Sequence, residues 1–190
     1  MRRSRPGLPL PALLLGVAIA LAGHVSPAFA QATAQAPAEA PAERPHYATG
    51  DTWIDTRLAD IDRYAADYPE TFAAEIERYA GMPRAYVHGL LAQPGWHAGD
   101  AWYACFLARA LESDCREVVR ARARLGREGS WAEVVAGLRP ESAPDPHHAL
   151  RLSMADSYRR WGRDLQPDAA LRRALQQRER ERQTEPGAPR

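Results

Sequence analysis

From Thr52 onward the apolar residues recur at helical spacing, and the polar residues between them supply the caps and turns of short helices. Ile54, Leu58, Ile61, Ala65 and Tyr68 fall on one stripe. Pro69 suits the first turn of a second helix, which turns Phe72, Ile76 and Tyr79 inward and stops at Gly81. Pro83 opens a third helix with Tyr86, Val87, Leu90 and Leu91, and Pro94-Gly95 is a turn. The most apolar stretch beyond residue 30 runs from Asp100 to Leu111, with Trp102, Tyr103, Phe106 and Leu107, and reads as the central helix. Asp114-x-x-Glu117 and Ser130-x-x-Glu133 have capping-box spacing, and Gly126 fits the position just past a helix end. A helix from His147 to Trp161 sets Leu150, Met154 and Trp161 on one face. Pro167 starts a last, Arg-rich helix anchored by Leu171 and Leu175. No segment alternates at period two for long enough to be a strand. The fold class is therefore all-α, a small bundle of about six to eight short helices.

The ends of the chain read differently. Arg2, Arg3 and Arg5 precede an apolar run from Leu10 to Leu21, and Ala28-Phe29-Ala30 follows. That order is a charged region, a short hydrophobic region and a small-residue cleavage site, so residues 1–30 read as a secretory signal cut after Ala30. Pro11 and Gly16 interrupt the run, which falls short of the ~20 residues of a membrane span. An uncleaved signal anchor is the alternative. Arg2-Arg3 suggests a twin-arginine signal, but Ser4-Arg5-Pro6 stands where hydrophobic residues would follow, and residues 31–40 hold no Cys for a lipid anchor. The expected organisation is a signal peptide (1–30), a disordered Ala/Pro-rich spacer (31–48), a helical domain (49–165), a peripheral Arg-rich helix (166–182) and a disordered tail (183–190).

Charge narrows the partners. Removing residues 1–30 takes away three Arg and no acid, so the formal charge moves from +1 to −2. Such a chain has no global attraction to nucleic acid or to an anionic membrane. Every basic residue is Arg, as the codons of a GC-rich genome favour. Residues 51–80 hold eight acids against three Arg, and these acids read as solvated helix faces. Arg116, Arg120, Arg124 and Arg127 project within about 80° of one another on an ideal helix, opposite Val118, Ala121 and Leu125. That ridge is either a solvated face or a docking surface for an acidic partner, the acidic helices of a second copy included.

Candidate chemistry is sparse. Cys105 and Cys115, in an oxidising compartment, read as a disulfide, as two buried thiols or as a redox pair, although C-x-x-C spacing is absent. Bridging needs Cα atoms within ~7 Å, which requires the central helix to end near Arg109. His147, His148 and Met154 are the nearest approach to a metal site, and soft Met with imidazole suits copper. Adjacent His side chains point about 100° apart on a helix, however, and Met154 belongs to the core by periodicity. His88 and His97 stand alone. No phosphate-binding loop, nucleophile elbow or zinc-type spacing occurs, and no cofactor is implied.

Residues 126–151 resemble a group of small, exported, all-helical bacterial proteins of unknown function. That group carries a Gly-Trp-Gly element, a Leu seven residues after the Trp, a Pro/Gly/Ser turn and a closing His-x-Leu-Lys. The matching residues are Gly129, Trp131, Val134, Leu138, the turn 140–146, His148, Leu150 and Arg151. Ser130 intervenes between Gly and Trp, Ala132 replaces the second Gly, the turn proline is shifted, and Arg151 stands for Lys. The resemblance implies export and a helical fold and supplies no reaction. Read from the residues alone, Trp131, Val134 and Leu138 pin a short helix to the core, and His148 either hydrogen-bonds a backbone carbonyl or caps the turn. The expected role is a non-catalytic binding module of the cell envelope, its partner another envelope protein or component. A peptidoglycan-active enzyme and a periplasmic metal-binding protein are the alternatives.

Overall fold

The computed structural model describes residues 47–126, 129–140 and 142–184. The signal, all but the end of the spacer, Arg127 and residues 185–190 of the tail lie outside the described residues. Eight α-helices follow in order among the described residues: α1 (Thr52–Asp67), α2 (Pro69–Ala80), α3 (Arg84–Leu91), α4 (Ala98–Ala110), α5 (Cys115–Arg124), α6 (Trp131–Leu138), α7 (His147–Arg160) and α8 (Ala169–Thr184). No strand occurs among them, and the fold is all-α.

The core is built around α4. Every residue of α4 from Ala98 to Ala108 is buried, and the helix touches α1, α2, α3, α5 and α7. A helix apolar on all sides must be covered on all sides, and the amphipathic neighbours do this with one face each. α1 contributes Ile54, Leu58, Ile61, Tyr64 and Ala65, α2 adds Phe72, Ala73 and Ile76, and α7 adds Leu150, Met154 and Tyr158. Where α4 passes α1, Gly99 lies so close to Tyr47 that an added Cβ would stand 2.3 Å from the tyrosine oxygen.

Two local departures have physical causes. Tyr68, placed on the α1 stripe by spacing, is 56% exposed. Pro69 bars the helical conformation at the residue before it. Tyr68 takes φ −134°, ψ 60°, and its side chain leaves the stripe. The turn after α4 is the second. Ser113 N–H bonds the Ala108 carbonyl at 2.8 Å and Glu112 N–H bonds that of Arg109 at 3.3 Å, with Glu112 at φ 54°. This is a Schellman closure made without glycine. It reverses the chain tightly enough to bring Cys115 alongside Cys105, with Cα atoms 4.5 Å apart and the sulfurs bonded. Closing so short a loop removes unfolded-state entropy worth about 3 kcal/mol.

The acids of α1 and α2 correct the expectation of solvated faces. Asp51 pairs with Arg151 at 2.5 Å, Asp55 accepts from Thr49 at 2.6 Å, and Asp60 pairs with Arg63 at 2.7 Å and with Arg163 at 2.9 Å. Asp62 accepts the Tyr47 hydroxyl and the Gly99 N–H, and Glu77 pairs with Arg84 at 2.7 Å. Glu75 is buried and held by Arg160 and Ser157. Asp67 and Glu70 stay exposed, with His88 3.4 Å from Glu70. Half of these acids, Asp51, Asp60, Glu75 and Glu77, are therefore matched by Arg within the domain, while Asp55 and Asp62 accept from uncharged donors.

Candidate functional site

α5 is fixed on its inner side and open on its outer side. Asp114 caps it by accepting the Arg116 N–H at 2.6 Å. Cys115, Val118, Val119 and Ala121 are buried, and the disulfide fastens the first turn to α4. Arg116, Arg120 and Arg124 point outward and are exposed. The Arg116 guanidinium lies 5.2 Å from the centre of the Tyr86 ring, which stiffens one end of the row. None of the three forms an ion pair with a described residue, in contrast to Arg63, Arg84, Arg151, Arg160, Arg163 and Arg178. Arg127, the fourth member expected from spacing, lies outside the described residues.

A second feature occupies the other flank of α5. A hollow of about 190 Å³ opens between the turn at Pro94 and Gly95, the start of α4 and the end of α5, and Trp96, Asp100, Arg122 and Ala123 line it. Asp100, 7% exposed, accepts the Trp131 indole N–H at 2.8 Å on one oxygen and the His97 backbone N–H at 3.0 Å on the other. The His97 ring nitrogen stands 3.3 Å from that second oxygen. Burial pushes the Asp100 carboxyl above its ordinary range, and the Trp131 and His97 donors offset part of that rise. The Arg122 guanidinium sits 5.7 Å over the Trp131 ring and donates to the Gly126 carbonyl at 2.6 Å. Trp96 meets Trp131 edge-on at 6.3 Å.

The sequence did not single out Trp96, Asp100 or Arg122, because the hollow is assembled from separate elements. Its one local signal is the three-residue spacing of His97 and Asp100, a capping-box spacing with His in place of Ser. Trp131 was expected in the core and lies there, fully buried. The regular box at Ser130 and Glu133 also forms, with N–H contacts of 3.1 and 2.7 Å.

The remaining candidates are dispersed. Met154 is fully buried, whereas His148 is exposed. His147, rather than the expected His148, binds the turn through Asp145 at 3.2 Å, and it faces the Tyr103 hydroxyl at 3.4 Å. No group of three or more His, Cys, Asp or Glu among the described residues is placed to hold a metal ion. Arg151 reaches from α7 to Asp51 at 2.5 Å and to Asp168 at 3.2 Å. That bridge uses the fork of a guanidinium where a Lys would supply a single point charge. No helix among the described residues is long and apolar enough to cross a membrane. Searches against family models, curated proteins and solved structures returned no match to this chain.

Proposed function

We propose that this chain is a non-catalytic binding module of the cell envelope, exported by residues 1–30, that docks an acidic envelope protein on the outer face of α5. The observation that carries this reading is the row Arg116, Arg120 and Arg124, exposed and without a carboxylate partner among the described residues. Arg63, Arg84, Arg151, Arg160, Arg163 and Arg178 are matched by acids within the fold, whereas this row lies unmatched along one face of a helix held by a disulfide, open to an external anion. Guanidinium groups favour carboxylates as partners because their donors match both oxygens. The bond between Cys105 and Cys115 fits an oxidising compartment.

Charge reversal tests the reading. The tagged chain, recovered from its native envelope, is expected to retain an acidic protein at low ionic strength. Retention should fall as salt shortens the Debye length from about 30 Å to about 8 Å. Replacing Arg116, Arg120 and Arg124 together by Glu is expected to cut retention at least about tenfold, equivalent to ~1.4 kcal/mol. Reversal of Arg173 and Arg180 on α8 should leave it unchanged. Equal retention by both variants would overturn the assignment.

A further inference from the structure

We propose that the hollow between α4 and α5 is a saccharide subsite for one neutral hexose ring, with Trp96 as its stacking wall, Arg122 as donor and Asp100 as acceptor. This site is separate from the docking row. On an ideal helix Arg122 projects about 200° from Arg120, so the two surfaces occupy different flanks of α5.

Size comes first. At about 190 Å³ the hollow is smaller than the ~300–1,000 Å³ typical of drug-sized ligands and suits a single ring. Its wall is an aromatic side chain with an unused donor. Trp53, Trp102 and Trp131 donate their indole N–H groups within the fold, whereas Trp96 and Trp161 donate to no described residue, and of these two only the half-buried Trp96 lines this hollow. An apolar face with a polar edge matches a pyranose, whose C–H face is bordered by hydroxyls.

Charge selects the ligand class. Asp100 and Arg122 border one hollow without pairing to each other, because Trp131 engages both. Its N–H edge holds Asp100 and its face carries Arg122. The opposite charges cancel formally, so a ligand bearing net charge meets one favourable group and one unfavourable one. Asp100 already accepts from the Trp131 indole and the His97 backbone and has the His97 ring beside it. A carboxylate has about four acceptor positions. What remains is room for a hydrogen bond rather than demand for a counter-cation, which favours a hydroxyl over an ammonium. A hydroxyl also both donates and accepts, so neighbouring ring hydroxyls can satisfy Asp100 and Arg122 together.

The test is a titration of the ¹⁵N-labelled full chain with N-acetylglucosamine trimer and with maltotriose, read at the Trp96 indole resonance and assigned by its loss in Trp96→Phe. A saturable shift at Trp96 with either sugar is expected. Trp96→Ala should weaken binding about tenfold, the loss of one aromatic contact of ~1.4 kcal/mol. Arg122→Gln should weaken it as well, and the triple Arg116, Arg120 and Arg124 to Glu variant should bind as the parent does. The resonances of the other indoles report whether each variant remains folded. No saturable shift with either sugar would overturn the proposal, as would unchanged affinity in a folded Trp96→Ala. A shift produced by glycylalanine and by neither sugar would reassign the hollow to a peptide or amino acid.

Discussion

Trp131→Ala is expected to destabilise the domain by ~3–5 kcal/mol, among the largest losses available to a single substitution here. Trp131 is fully buried, its ring lies 4.9 Å from Tyr103 and 6.3 Å from Trp96, and Arg122 covers its face at 5.7 Å. Truncation opens a cavity at the junction of α4, α5 and α6 and takes from Asp100 the N–H bonded at 2.8 Å. A buried acceptor left without its donor costs a further ~1–3 kcal/mol, although the two effects overlap. Trp131→Phe separates them, since it keeps most of the apolar volume and loses only the donor. Urea unfolding of the two variants measures both. A loss below ~1 kcal/mol for Trp131→Ala would contradict its place in the core.

Glu75→Ala is expected to cost a comparable ~3–5 kcal/mol, for an electrostatic reason. Glu75 is 5% exposed, yet it lies at the centre of a polar chain through the bundle. The Trp102 indole donates to the Ser157 hydroxyl at 3.2 Å, Ser157 donates to Glu75 at 2.7 Å, and Arg160 reaches both carboxylate oxygens from Nε at 3.0 Å. Arg160 also lies 3.6 Å from the centre of the Tyr79 ring. Removing the carboxylate strands a partly buried guanidinium and breaks the chain that ties α2, α4 and α7 together. Glu75→Gln keeps the volume and some of the hydrogen bonds and should cost less than half as much. For a domain of this size the Ala variant should lower Tm by more than about 10 °C. A Tm for Glu75→Gln equal to that of the parent would show that charge at Glu75 is immaterial.

What could be read in the sequence divides along the range of the interactions. The helices, the centrality of α4, the caps at Asp114 and Ser130 and the stop at Gly126 are local, set by residues within a turn or two of one another. Long-range pairings were not readable. Glu75 and Arg160 are 85 positions apart and Asp60 and Arg163 are 103 apart, so the acids of α1 and α2 look solvated until α7 is folded against them. The same limit hid the hollow, where Asp100 meets Trp131 across 31 positions. The disulfide is not legible in the sequence for a different reason. Its distance depends on Glu112 adopting a left-handed conformation, which a residue other than Gly or Asn seldom announces. The Arg row was legible because helical periodicity alone places its members together.

The outer face of α5, on the function proposed above, meets an acidic protein in the envelope. The most direct measurement places a photo-reactive residue at position 120 in the full chain, illuminates living cells of the native host, and sequences the captured peptide. One discrete adduct is expected, to a segment rich in Asp and Glu, and it should vanish when Arg116 and Arg124 are both replaced by Glu. An adduct indifferent to that reversal, or none above the level seen from the same reporter at position 173 on α8, would contradict the claim.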